Sequence, residues 1–306
     1  MSKLTRRQAL ASAAALPLAS TGVTMASAAT DIKEPSLNTF KRFRHGDFSM
    51  TVLLAGTATR EEPHSIFGLN ASPDEFSQVS TENFIPDDKA QFFFTPTLVN
   101  TGSELILFDT GLNADGITGV LGDAGYTPDQ IDTVVITHMH GDHIGGLMTD
   151  AGDPTFPNAR FVTGSVEHNY WAEQDNDGFK AKVAPLNDKM TFLEGGGEVA
   201  SGMTAIEAFG HTPGHMAYHV ESAGQELTLI ADTANHYVWS LGYPDWEVSF
   251  DVDKEMAAAT RRGLLEQLSS ERTPFIGYHM PFPALGYAAK RDDGFRFVPS
   301  SYQTML

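Results

Sequence analysis

The run Thr137-His138-Met139-His140-Gly141-Asp142-His143-Ile144-Gly145-Gly146 places three histidines and one aspartate within six residues. It follows directly on the apolar stretch Ile131 to Ile136, which reads as a buried strand. A strand that ends in a tight loop filled with imidazoles and a carboxylate is a place to hold a metal ion. That donor set suits zinc and its neighbours in the first transition row. The chain therefore needs a fold in which strand ends gather along one edge, as layered α/β sheets do.

Other donors share this setting. His215 stands two residues after Pro213, between the predicted strands Met203–Phe209 and Met216–Val220. Asp232 follows the apolar run Leu229-Ile230-Ala231, and His279 ends the stretch Pro274–His279. With His138, His140, Asp142 and His143 they make seven donors. That is too many for one tetrahedral ion and suits two ions sharing a carboxylate. Cysteine is absent, so every ligand is nitrogen or oxygen. His211, four residues before His215, is expected to hold the His-Thr-Pro-Gly-His turn rather than to ligate.

The remaining pattern is that of a Gly- and Pro-rich α/β chain, with 28 glycines and 16 prolines. Phe40–His45 together with Asp47–Gly56 read as one opening strand, and residues 91–99, 104–108, 159–163 and 203–209 read as further strands. Residues 226–234 repeat the apolar-Asp-Thr-small pattern of 104–111, which hints at two similar halves. Ser165 to Gln174 reads as a helix, and Asp253 caps a longer one reaching Arg272. Ser72-Pro73-Asp74-Glu75 and Thr127-Pro128-Asp129-Gln130 are capping-box starts. Pro274–His279 is expected to be the closing strand. Segment 59–95 carries scattered prolines and phenylalanines. It reads as a surface flap, as the contact of a homodimer, or as a loop packed on its own core. Segment 172–200 is likewise irregular. Phe93, Trp171, His236 and Tyr237 are candidates for pocket walls, with packing in the core as the alternative.

Residues 1–29 have the layout of an export signal: Lys3, Arg6 and Arg7, an Ala-rich apolar run, and an Ala-x-Ala site at 26–28. The Arg6-Arg7 pair resembles a twin-arginine signal, which implies export in the folded state through the export machinery to the periplasm or beyond. Residues 30–306 then form the functional domain. Removing the signal takes the formal net charge from −19 to −22, because it holds three cations and no anion. So acidic a chain repels nucleic acid and anionic membranes and favours small neutral or weakly charged substrates. No apolar stretch of the mature chain reaches the ~20 residues of a membrane span.

His138, His140, Asp142, His143, His215, Asp232 and His279, taken in order, resemble the H-x-H-x-D-H…H…D…H pattern of the metallo-β-lactamase superfamily. The resemblance covers nearly all of residues 46–280. It implies an αββα sandwich and two divalent ions, zinc first and manganese or cobalt as alternatives. It further implies that His138, His140 and His215 hold one ion, that Asp142, His143 and His279 hold the other, and that Asp232 bridges them. Asp109 would support the metal loop. A bridging hydroxide would attack the substrate, with Asp142 and Asp232 tuning its charge. Asn235-His236, Pro244-Asp245-Trp246 and His279-Met280-Pro281 resemble the branch of methyl parathion hydrolase-like and lactonase-like enzymes. Hydrolysis of a carboxylic ester or lactone is the expected reaction, with phosphotriester hydrolysis as the alternative. A periplasmic metal-binding protein without catalysis is the non-enzymatic reading.

Overall fold

The computed structural model describes residues 36–305, so the expected export signal at 1–29 lies outside the described residues. The chain opens with a hairpin of β1 (Phe40–His45) and β2 (Phe48–Leu53), then an arm of β3 (Gly56–Glu61) and β4 (Lys89–Phe94). Between the arm strands lies helix α1 (Pro73–Glu82), whose Ser72 cap accepts from the Glu75 N–H as expected. β5 (Thr97–Asn100) and β6 (Leu105–Phe108) follow, then α2 (Ala114–Asp123) and β7 (Thr133–Ile136). The histidine loop contains one helical turn, α3 (Gly141–Ile144). β8 (Arg160–Gly164), α4 (Ser165–Glu173) and β9 (Met190–Leu193) complete the first half. The second half runs β10 (Glu198–Ala200), β11 (Met203–Glu207), β12 (Met216–Ser222), β13 (Gln225–Ala231), α5 (Lys254–Glu271), β14 (Phe275–Gly277), β15 (Leu285–Arg291) and β16 (Gly294–Pro299).

These strands make two seven-stranded sheets, β1-β2-β5-β6-β7-β8-β9 and β10 through β16 in sequence order. One apolar cluster lies between them, joining Val52, Ile106, Phe108 and Val135 of the first sheet to Met203, Tyr218 and Leu229 of the second, and reaching Leu265 and Leu268 of α5. A second cluster packs Leu107, Val134 and Ile136 against Ile117, Val120 and Leu121 of α2. Alternate residues of β6 and β7 thus enter different clusters. Burial on both faces is why these strands read as unbroken apolar runs. Helix, sheet, sheet and helix stack as the expected αββα sandwich.

Three expectations are corrected. Residues 91–99 are not one strand: Thr95-Pro96 divides β4 in the arm from β5 in the first sheet. A proline has no N–H to donate to a ladder, so the chain changes sheets there. The opening strand expected over 40–45 and 47–56 is instead two antiparallel strands, Phe40–His45 and Phe48–Leu53, turned by Gly46 at φ +56°. Pro274–His279 does not close the fold, since β15 and β16 extend the second sheet beyond it. Helix α2 went unread because its glycines at 116, 119 and 122 obscure the apolar period.

Candidate metal centre

β6, β7 and β8 are parallel neighbours, so the residues after each lie at the same sheet edge. Asp109 follows β6, the histidine loop follows β7, and α4 follows β8. In the second sheet β13 and β14 are parallel and deliver Asp232 and His279, while the β11–β12 turn brings His211 and His215. The two edges meet at the mouth of the sandwich. Gly145 and Gly146 let the histidine loop lie flat on the neighbouring one. A Cβ on Gly145 would stand 2.1 Å from the Leu112 carbonyl oxygen, and one on Gly146 2.3 Å from that of Thr110.

Three ring nitrogens converge on one side. His140 Nδ1 lies 3.1 Å from His138 Nε2 and 3.0 Å from His211 Nε2. Each ring nitrogen offers one N–H or one lone pair, so three of them cannot satisfy one another. A cation bound at about 2.0–2.1 Å would space its nitrogens roughly 3.0–3.4 Å apart. Burial is the leading cause that pushes His140 down to about 3 and His138 well below the usual range, with neighbouring imidazoles adding to it. Both rings therefore offer lone pairs at neutral pH.

The exchange of His211 for His215 corrects the sequence reading. His215 Nδ1 donates to the Ala208 carbonyl at 3.1 Å, and its Nε2 accepts the Asp232 N–H at 3.1 Å. Backbone consumes both nitrogens, and no lone pair remains for an ion. His211 donates from Nδ1 to Asp251 Oδ1 at 2.8 Å, which directs Nε2 into the cluster. Asp251 in turn meets the fully buried Arg261 at 2.7 Å. Arg261 also donates to the Thr233 carbonyl next to Asp232, at 2.8 Å.

The other side is built around carboxylates. His143 donates from Nδ1 to Asp109 Oδ2 at 2.8 Å, and Thr137 donates to both Asp109 oxygens. The His143 Nε2 faces Asp232 Oδ1 at 3.4 Å, and neither atom has a hydrogen-bond partner among the described residues. Two buried acceptors turned towards each other call for a positive charge between them. His279 donates from Nδ1 to the Phe93 carbonyl at 2.8 Å and points Nε2 at Asp232 and Asp142, 3.1 and 3.3 Å away. Burial opposes a charged ring here, but Asp232 and Asp142 outweigh it and lift His279 to about 10. Burial likewise opposes ionisation of Asp142, yet His143 and His279 hold it at about 2. Tyr278 lies tilted against His143, with ring centres 3.9 Å apart, and donates to the Asp142 carbonyl at 2.5 Å.

A cavity of about 370 Å³ opens over these groups, with His140, Asp142, His211, Asp232 and His279 on its floor. Phe92, Phe94, Leu112 and Phe250 form its walls, and Arg60 of the arm lies at its side. The four expected pocket residues are not among these. Phe93 turns away, because alternation along β4 sends Phe92 and Phe94 to the cavity and leaves Phe93 its carbonyl contact with His279. His236 stacks on Trp239 at 4.1 Å and accepts two backbone N–H groups. Tyr237 packs against the core, and Trp171 donates to Glu167 behind His140. Phe250 and Arg60 had no sequence signal that set them apart from surface residues.

The metallo-beta-lactamase superfamily profile matches residues 95–268, more than half of the chain. The chain belongs to that superfamily. An N-acyl homoserine lactonase of a Bacillus species is 25% identical over 186 residues, 60% of this chain and 67% of the relative. The lactonase of Bacillus thuringiensis is 26% identical over 159 residues, 52% of this chain and 59% of its own length. Among solved structures, AidC, a dizinc quorum-quenching lactonase in complex with a product, gives a TM-score of 0.78 at 27% identity, over 86% of this chain and 98% of AidC. The hydrolase AbOPH gives 0.80 at 23% identity, over 88% and 100%, a likeness of fold. This chain is thus a metal-dependent hydrolase of the superfamily. The matched region holds His138, His140, Asp142, His143, His211 and Asp232, while His279 and the arm strands β3 and β4 fall outside it.

Proposed function

We propose that the protein is a dinuclear metal-dependent hydrolase of carboxylic esters or lactones, acting after export. The observation that carries this reading is the paired floor of the cavity. His138, His140 and His211 turn three nitrogens to one point, and the orphaned His143 Nε2 and Asp232 Oδ1 face each other beside them. His138, His140 and His211 would hold one ion, and Asp142, His143 and His279 the other. Asp232 reaches both sets, with Oδ2 3.4 Å from His211 Nε2 and Oδ1 turned to His143. Two divalent ions held there, zinc first and manganese or cobalt as alternatives, would supply an activated water and polarise the substrate's carbonyl oxygen.

The chain's own groups do the rest. Asp142 has the more accessible of the two carboxylates, 22% exposed against 4% for Asp232. It is ionised at neutral pH and is placed to accept a proton at its cavity-facing oxygen and return it to the leaving group. Asp109, Asp251 and the Phe93 carbonyl fix the far nitrogens of His143, His211 and His279, and so fix which nitrogen each ring offers. Phe92, Phe94, Leu112 and Phe250 exclude water around an apolar acyl group and match a neutral lactone. The relatives named as N-acyl homoserine lactonases support that choice.

A substrate panel tests it. Zinc-loaded protein and its His138→Ala variant are assayed against acyl-homoserine lactones, aryl esters, phosphotriesters and β-lactams. Lactone or ester turnover that the variant lacks is expected. Turnover of phosphotriesters alone would move the substrate class, and no turnover above the variant would return the chain to metal binding without catalysis.

A further inference from the structure

The carboxylate of Glu167 belongs to neither ligand set, yet it is fully buried and accepts four hydrogen bonds. Its Oε1 takes the Met139 N–H at 2.8 Å and the Trp171 Nε1–H at 2.6 Å. Its Oε2 takes the Thr212 hydroxyl at 2.7 Å and the Gly214 N–H at 3.0 Å. Met139 lies between His138 and His140, and Thr212 follows His211. One carboxylate therefore ties together the backbones of the two loops whose nitrogens converge. Trp171, which it also orients, stands edge-on to His140 with ring centres 5.9 Å apart.

The junction has little slack. A Cβ on Gly214 would stand 2.1 Å from the Glu167 backbone nitrogen, so the His-Thr-Pro-Gly-His turn rests directly on the first turn of α4. Among the described residues no lysine or arginine pairs with the carboxylate, and its four donors replace the water it lost on burial. Such a group is costly to keep unless all its donors hold position.

We propose that Glu167 is a positioning residue that sets the distance between the His138–His140 loop and His211, and through it the metal affinity of the three-histidine side. It rests on the dinuclear reading above. Loss of a carboxylate that served folding alone would lower overall stability and leave the two ions alike. Loss of a positioning carboxylate weakens one ion selectively.

The test is zinc titration of the full chain against a competing chelator, with thermal unfolding of the metal-free protein measured alongside. Glu167→Gln keeps the shape but gives one oxygen an NH2 that cannot accept, so one loop is released. Thr212→Val removes a single donor, and Thr212→Ser restores it. Glu167→Gln and Thr212→Val are expected to weaken one of two zinc ions by about 10–100-fold and leave the other unchanged. Thr212→Ser is expected to bind as the wild type does. Wild-type affinity for both ions in Glu167→Gln and Thr212→Val overturns the proposal, as does a loss of both ions that tracks the fall in melting temperature. A wild-type protein that binds no zinc overturns the dinuclear reading, and this proposal with it.

Discussion

The two sides of the cavity floor use the same residue types in opposite electrical settings. On one side, imidazoles face imidazoles, and burial holds His138 and His140 in their neutral form. On the other, imidazoles face carboxylates, and His143 and His279 are raised despite their burial. Protons can satisfy the carboxylate side when no metal is bound. The three-histidine side has no such recourse, since protonating it would crowd buried cations together. The difference teaches that the first side depends on a metal to engage its converging lone pairs, while the second can trade a metal for protons.

Asp232 belongs to both sides, and its removal should break the comparison outright. Asp232→Ala is expected to lower kcat/KM by several kcal/mol of transition-state stabilisation, on the order of a thousandfold or more, in steady-state assays of the zinc-loaded protein. A variant that retains activity would mean that the sides work independently.

Next in size is the contrast between the two neighbouring histidines. His211→Ala should lose one of two zinc ions by metal analysis, with most of the activity. His215→Ala should keep both, at a cost of about 1–3 kcal/mol in denaturant unfolding, because it leaves the buried Asp232 N–H without its acceptor. The opposite pattern would restore His215 as the ligand.

The supporting carboxylates should act on one side each. Asp251→Asn is expected to weaken the ion of the three-histidine side, and Asp109→Asn that of the carboxylate side, each by about 10–100-fold in chelator competition. Equal loss of both ions in either variant would argue against separate sides.

The smallest effect concerns the metal-free protein and pH. His140 has a folded value of about 3 against an ordinary 6.5, so only the unfolded chain takes up its proton between them, and stability falls as pH drops below 6.5. His279 runs the other way. Its folded value of about 10 lies above 6.5, so its contribution is complete below 6.5 and is lost as pH rises through 10. Melting temperatures of chelated protein should therefore peak near pH 6.5 and fall on both sides. A profile that rises or falls steadily across that pH would break the assignment of opposite settings.

Much of this was legible in the chain because local rules govern it. β6 and β7 are unbroken apolar runs since both their faces are buried, and the polar residues that end them mark a sheet edge. Asp253 and Ser72 begin helices because each accepts a backbone N–H three residues on. The cavity walls were not legible. Phe92 and Phe94 differ from Phe93 only in strand parity, which depends on how β4 pairs with β3. Phe250 gains its role from a loop carried to the cavity by the second half of the chain.

The sequence by itself determined the reaction class and the kind of donor: a thiol-free set of histidines and aspartates gathered where strands stop. Tertiary structure alone decided between His211 and His215. Four residues apart on one turn, either ring could face the cluster. Asp251, 40 residues from His211, turns one nitrogen inward, and the Asp232 N–H, 17 residues from His215, occupies the other. Contacts so distant in the chain leave no mark on local spacing, and they choose which ring nitrogen faces the cluster.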